Sequence, residues 1–316
     1  MSVTCSPTQR GILDLVTDLA AEFETHRLQL FGLAYRLLGS ASEAEDAVQD
    51  AYLRLHKADH AAIRSMRAWL TKAVTNVCLN QLTSARARRE SYAGPWLPEA
   101  VFTTDGALGP PETAEQRDSV SIALLTLMER LTPAERAAFV LREAFSYSHG
   151  DIADILDTSE ANVRQLHRRA RVRLDQPVPR FRPDPAHWRA LVERFLDAAR
   201  GGDVTGLAAM LADNVGSTAD GGGKVGAARR TVVGRAKVAR YLAGAFSRPI
   251  ADVRLDFGGE VNGEQAVLGF VGPTLAGVLF FEITGGRVTE LRLVANPDKL
   301  RFLGAQLSHP VGLSGS

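Results

Sequence analysis

Five arginines, Arg164, Arg168, Arg169, Arg171 and Arg173, fall within ten residues of this 316-residue chain. A guanidinium group carries a permanent charge and a planar fork of donors, which suits it to phosphates and to base edges. The surrounding stretch, HGDIADILDTSEANVRQLHRRARVRL (149–174), has apolar or small residues at Ile152, Ala153, Leu156, Val163, Leu166 and Ala170. That spacing predicts two short helices packed across a turn, a helix-turn-helix with its basic face outward. Asn162, Arg164, Gln165 and Arg168 project away from Val163 and Leu166. Arg and Gln pair bidentately with guanine and adenine edges. Arg169, Arg171 and Arg173 lie further along and are placed for phosphates, which position without specifying. Asp157 stands in the turn, and Asp tolerates the left-handed backbone expected there.

The formal net charge is only +1, so the arginine cluster is a local feature. Residues 1–176 hold 20 Lys/Arg against 23 Asp/Glu, net −3, and the remainder 17 against 13, net +4. Glu43, Glu45, Asp46 and Asp50 form an acidic cluster, and Arg86, Arg88 and Arg89 a basic one. Both signs in one half predict contact with a basic protein surface as well as with nucleic acid. Cys5, Cys78 and seven scattered histidines show no ligand spacing, so no metal or cofactor is expected. The N-terminus lacks a basic-then-apolar signal and no apolar run approaches the ~20 residues of a membrane span. A cytoplasmic protein without a membrane contact is expected.

Three kinds of segment position these residues. Residues 22–90 read as helical after an N-terminal extension over 1–21. Phe23, Leu28, Phe31, Leu33, Ala34 and Leu37 line the first helix, Gly39 stops it, and Ser42 with Glu45 predicts a capping box for the second. A third helix begins near Ser65 and ends in SARARRE. Residues 91–112, with four prolines and the knot Trp96-Leu97-Pro98-Glu99, form a linker. Helices resume near Thr113 and run through 176; Thr132, Ser148 and Ser159 are the expected caps. A proline-rich linker (177–186) leads to residues 187–303. There helices at Trp188–Leu196, Leu207–Leu211 and Arg235–Phe246 surround a short strand and the turn Asp220-Gly-Gly-Gly-Lys224. Strand-like runs follow at 251–257, 265–271, 277–283 and 288–294, with turns at Asn262-Gly263 and Gly285-Gly286. Helices first and an antiparallel meander last predict an α+β layer. Residues 304–316 read as a flexible tail.

The stretches AYRLLGSASEAEDAVQDAYLRL (34–55), AWLTKAVTNVCLN (68–80), LTPAERAAFVLREAFSYSHGDIADIL (131–156) and NVRQLHRRARVRL (162–174) resemble the extracytoplasmic-function sigma factors of bacterial RNA polymerase. The resemblance covers about residues 22–176. The C-terminal part resembles the SnoaL-like branch of the NTF2-like cone fold. The short motifs WLPEA (96–100), DGGGK (220–224) and NPDKL (296–300) are similar to those of the sigma subgroup that carries this fusion, with Ala100 in place of a usual Pro. The expected architecture is therefore multidomain: two all-α sigma domains, the second with the helix-turn-helix, and a cone-shaped α+β domain.

The resemblance implies roles. Asp46, Gln49 and Asp50 would dock on the clamp coiled coil of core RNA polymerase. Asn76, Asn80, Arg86, Arg88 and Arg89 would open and read the −10 promoter element. The family often has Asp near Asn80 and Arg near Thr83, so the resemblance implies no base preference here. Trp69 is placed either to stack on a base or, by its spacing with Met66 and Ala73, in the core. The second helix of the helix-turn-helix would enter the −35 major groove. Trp96, Leu97, Pro98, Asp220, Lys224, Asn296, Pro297, Asp298 and Lys299 would couple the fused domain to the sigma domains in place of a separate anti-sigma protein. Asp220 and Lys224 either line a pocket or form an interdomain loop, and Asn296-Pro297-Asp298 would end the last strand in a rigid turn.

Two other readings compete. A ligand-sensing helix-turn-helix regulator leaves the acidic second helix and the Trp-bearing third helix unexplained. A SnoaL-type cyclase or isomerase with a DNA-binding appendage needs convergent acid–base groups. The C-terminal segment offers only His187 and His309, so no catalytic residue is assigned and no enzyme is expected. The residues assign no small-molecule ligand.

Overall fold

A computed structural model describes residues 7–103, 108, 119–174, 184–246, 253–257 and 259–308. Four helix-rich units come first: α1 (Pro7–Leu38), α2 (Ala41–Leu55), a 3₁₀ turn (His60–Ala62) and α3 (Met66–Glu90). Helix α1 takes in most of the residues expected to form an N-terminal extension, because Leu19 and Phe23 continue its buried face toward the N-terminus. Gly39, at φ 68°, ends α1 in the left-handed region that favours glycine. Ser40, not Ser42, caps α2 by accepting from Glu43 N–H. Ser65 caps α3.

After the linker come α4 (Ile122–Met128), α5 (Pro133–Glu143), α6 (His149–Ile155) and α7 (Glu160–Arg173). The expected restart near Thr113 lies outside the described residues. Thr132 with Glu135 and Ser148 with Asp151 form capping boxes, and Ser159 caps α7. Asp157, at φ 49°, makes the left-handed turn between α6 and α7. Helices α1 to α7 share one hydrophobic core, from Leu33 and Val74 through Leu141 to Val163 and Ala170.

The C-terminal part holds α8 (Pro185–Arg200), α9 (Val204–Met210), β1 (Leu211–Asp220), β2 (Val232–Val233), α10 (Arg235–Phe246), β3 (Val253–Asp256), β4 (Glu260–Val261), β5 (Glu264–Val271), β6 (Thr274–Thr284), β7 (Arg287–Val294) and α11 (Pro297–Ser308). The sheet order is β2-β1-β7-β6-β5-β3, with β4 paired to β5. The last four long strands pair antiparallel as the turn signals predict, but β7 returns beside β1 in parallel. Alternation on β6 sends Leu279, Phe281 and Ile283 to one face and Val278 and Phe280 to the other. The first face is filled by Trp188, Phe195 and Leu242 from α8 and α10, with Phe195 and Phe281 edge to face at 5.4 Å. Leu97 and Ala100 of the linker, Ile122 of α4, and Leu300 and Leu303 of α11 cover the second. Both faces of β6 are buried, so its run LFF is continuously apolar.

Helix α11 corrects the expectation of a terminal turn and flexible tail as far as Ser308. Pro297 occupies its first position, where a missing N–H costs nothing, and Leu300 and Leu303 bury against the sheet. Residues 309–316, with His309, lie outside the described residues. Among those described, no helix is long and apolar enough to cross a membrane.

Candidate nucleic-acid interface and the clasp around it

Helix α7 presents Asn162, Arg164, Gln165, Arg168, Arg169, Arg171 and Arg173 to solvent, while Val163, Leu166 and Ala170 bury against α5 and α6. The seven are not equally free. Arg164 pairs with Glu160 one turn before it, an exposed contact that a polyanion displaces at little cost. Arg169 and Arg173 both donate to the buried carboxylate of Glu135 on α5, Arg169 at 3.0 Å. Burial alone would raise the Glu135 pKa, but the Thr132 N–H and hydroxyl and these two arginines hold it below the ordinary value. Arg169 and Arg173, expected at phosphates, thus also fasten α7 to α5.

On α3, Asn80 is exposed and Asn76 half-buried on one stripe that starts at Lys72. Trp69 is half-buried against the helical core. Lys72 Nζ reaches Asp157 Oδ1 at 2.5 Å and the Asp154 carbonyl at 2.9 Å, and Thr71 meets the Tyr147 hydroxyl at 3.1 Å. The helix-turn-helix therefore rests on α3 itself. The side chains of Arg86 and Arg88 lie outside the described ones. Arg89 turns away from solvent: it pairs with Glu129, donates to the Leu38 carbonyl at 2.7 Å and stacks 3.9 Å from the Trp96 ring centroid. Burial lowers its pKa, with Glu129 opposing. In this arrangement two of the Arg89 donors are taken up by Glu129 and the Leu38 carbonyl, so a promoter contact by Arg89 requires these bonds to be released. Glu129 also holds Arg136, whose guanidinium is buried against the Arg36 carbonyl.

Asp46, Gln49 and Asp50 project from α2 into solvent, opposite the buried Ala44, Ala47, Val48 and Ala51.

The linker is where the chain converges. Asp220, fully buried at the end of β1, accepts from Leu97 N–H at 2.8 Å, Lys299 Nζ at 2.6 Å, Tyr92 OH at 2.6 Å and Gly222 N–H at 3.0 Å. Lys299 also donates to the Leu97 carbonyl and lies 4.1 Å from the Trp96 ring centroid. Burial pulls its ammonium down to about 8, with Asp220 pulling the other way. Asn296 donates to Tyr92 OH at 2.7 Å and accepts from Asp298 N–H at 3.1 Å. Trp96 thus carries two cations, one from α3 and one from α11. Gly222, at φ 60°, brings the turn so close to Asn296 that a Cβ there would sit 2.3 Å from Nδ2. Asp220 thus reaches the linker through hydrogen bonds from Tyr92 and Leu97, while its ion pair with Lys299 stays within the C-terminal part. Lys224 instead pairs with Asp298 at 2.5 Å, within the C-terminal part.

Two functional residues escaped the sequence. Glu99 drives its carboxylate into the start of α2, accepting from Ser40 Oγ, Ala41 N–H, Ser42 N–H and Ser42 Oγ at 2.7–3.2 Å. Its place inside WLPEA was the available signal. Asn262 is buried at φ 54°. It donates to Tyr35 OH at 2.5 Å and the Val120 carbonyl at 2.9 Å, and accepts from Val101 N–H at 3.0 Å. One side chain of the β4–β5 turn therefore ties α1, the linker and the approach to α4 together. Tyr35 OH in turn donates to the Glu99 carbonyl at 2.6 Å. The linker pairs with β4 like an extra strand, with Phe102 opposite Val261.

Two family models match the helical part: Sigma-70 region 2 over residues 23–88 and Sigma-70, region 4 over residues 121–174. The chain is 37 % identical over 300 residues to the ECF RNA polymerase sigma factor SigJ of Mycobacterium tuberculosis, covering 91 % of this chain and 94 % of that protein. It is 32 % identical over 289 residues to the probable ECF RNA polymerase sigma factor SigI of the same organism, covering 92 % and 97 %. The crystal structure of Mycobacterium tuberculosis SigJ matches with a TM-score of 0.69 at 34 % identity, over 90 % of this chain and 98 % of that one. With region 2 in α1–α3, region 4 in α4–α7 and an α+β domain behind them, the chain belongs to the extracytoplasmic-function sigma factors, which direct promoter-specific initiation of transcription.

Proposed function

We propose that this sigma factor is held closed by its own C-terminal domain and opens on core RNA polymerase. The observation that carries this reading is the contact of Lys72 with Asp157 in the helix-turn-helix at 2.5 Å, beside that of Thr71 with Tyr147 just before it at 3.1 Å. Two promoter elements about two helical turns apart are separated by ~70 Å on B-DNA. Readers that touch one another do not reach both. The C-terminal domain favours the closed form through the linker, which it grips at Leu97, Val101 and Thr103.

In the closed chain Asp46, Gln49 and Asp50 remain free to meet the basic clamp coiled coil, where charge complementarity sets encounter rate and register. Opening frees the α3 stripe of Asn76 and the already exposed Asn80 for the −10 element, with Arg86 and Arg88 at its backbone. Helix α7 then enters the −35 major groove through Asn162, Arg164, Gln165 and Arg168, while Arg171 meets phosphate and Arg169 and Arg173 divide their donors between Glu135 and DNA. The work is done in the cytoplasm, with no chemical step: aromatic side chains fill the helix-covered face of the sheet.

Transcription reconstituted with purified core polymerase tests this. The full chain is expected to direct specific initiation, and a chain ended after Asp175 to bind core more tightly. No specific initiation from folded protein would remove the sigma reading; equal core affinity and promoter activity in the two chains would remove the closed state. Arg164→Ala and Arg168→Ala are each expected to weaken −35 discrimination by about 1–3 kcal/mol. Binding to wild-type and base-substituted −35 elements measures this, and unchanged selectivity in both variants would contradict the assignment.

A further inference from the structure

Between Asp220 and Asp252 the chain has seven Lys or Arg and no Asp or Glu. Two of the seven are used locally: Lys224 pairs with Asp298, and Arg235 with Asp213 at 2.7 Å. Arg229, Arg230, Lys237 and Arg240 are exposed, and none forms an ion pair with a described residue. Lys237 and Arg240 are three apart on α10, opposite the buried Val238, Ala239 and Leu242. The Ala228 N–H reaches the Tyr241 hydroxyl at 3.4 Å, which sets the loop bearing Arg229 and Arg230 against the same helix. Four exposed like charges on neighbouring segments repel each other, and a polyanion relieves that repulsion.

The place of this surface indicates which polyanion. A Cβ on Gly94 would come within 3.8 Å of the Arg229 backbone, so the loop abuts the linker four residues after α3 ends at Glu90. Tyr92, between them, is fastened to Asp220 and Asn296. The loop bearing Arg229 and Arg230 therefore adjoins the linker just past the C-terminal end of α3. We propose that Arg229, Arg230, Lys237 and Arg240 contact the phosphate backbone of promoter DNA beside the −10 element. The C-terminal domain thus adds its own non-specific hold on DNA once the chain is open. This inference rests on the sigma reading above and goes beyond it by giving the fused domain a DNA contact of its own.

The test uses holoenzyme reconstituted with the full chain and fluorescent promoter DNA, titrated across a salt series. Counterion release gives a slope of about −0.9 per phosphate contact in a plot of log affinity against log salt. Arg229→Gln/Arg230→Gln is expected to lower the slope magnitude by about 2, and adding Lys237→Gln/Arg240→Gln by up to about 4. Weakening should be equal on promoters with intact and altered −10 sequence. Arg229→Glu/Arg230→Glu should weaken binding further. Arg189→Gln/Arg194→Gln on α8 should leave the slope unchanged. Thermal melting and core affinity unchanged from wild type show that the variants fold. An unchanged slope in the quadruple variant, or an equal change in the α8 variant, overturns the proposal. Wild-type holoenzyme that initiates specifically in the same experiment keeps the sigma reading intact when that happens; its failure to initiate overturns both.

Discussion

Asp220→Ala is expected to cost about 3–5 kcal/mol, because it leaves Lys299 buried with no counter-charge. The Leu97 N–H and the Tyr92 hydroxyl lose their acceptor in the same substitution. A buried donor without a partner costs about 1–3 kcal/mol, and these losses overlap with the ion-pair term rather than adding to it. Removing both charges separates pair from burial: Asp220→Leu/Lys299→Met is expected to recover a large part of the loss, since an apolar pair avoids the desolvation penalty. Denaturant unfolding of the two variants measures the difference. Asp220→Ala within 1 kcal/mol of wild type would mean the buried pair is not what fastens the linker. The closed-state account adds a second readout, higher affinity for core polymerase in Asp220→Ala.

Asn262→Ala ranks next, at about 3–5 kcal/mol, and two causes contribute. The left-handed backbone costs Ala about 1–2 kcal/mol. The remainder comes from Val101 N–H and the Val120 carbonyl, which the Asn262 side chain satisfies. Asn262→Gly separates the two, since Gly accepts φ 54° without strain yet offers no side chain. Glycine should therefore recover about 1–2 kcal/mol of the alanine loss and no more. Equal stability of Asn262→Gly and wild type would show that the side-chain bonds contribute nothing. The hydrogen-exchange rate of the Val101 amide gives the local readout: both variants should speed it.

Local chemistry made much of this molecule legible from its residues. Thr132, Ser148 and Ser159 announce α5, α6 and α7 because a cap needs only side chains three residues apart. Asn262-Gly263 and Gly285-Gly286 announce the hairpins for the same reason. What stayed hidden depends on partners far along the chain. Nothing near Arg89 in the sequence announces Glu129, forty residues on, or the Trp96 ring, which hold it here. Strand β1 runs ten residues where only a short strand was legible, because Ser217 and Asp220 are buried for what they face rather than for apolarity. NPDKL reads as a turn with a tail because Leu300 and Leu303 gain their burial from β6 and the linker. Asn262 announced a turn, yet nothing nearby in sequence says that the turn reaches Tyr35, 227 residues away.

The distance between region 2 and region 4 tests the closed state most directly. Spin labels at Arg67→Cys on α3 and Ala161→Cys on α7, with Cys5→Ser and the buried Cys78 retained, report it by pulsed dipolar spectroscopy. The free chain should give one short distance, since Lys72 and Asp157 between the labels are in contact. The complex with core polymerase and promoter should give a distance longer by several tens of Å, as elements ~70 Å apart require. Asp220→Ala should show part of the long population without polymerase. A free wild-type chain already at the long distance, or a promoter complex still at the short one, would contradict the account.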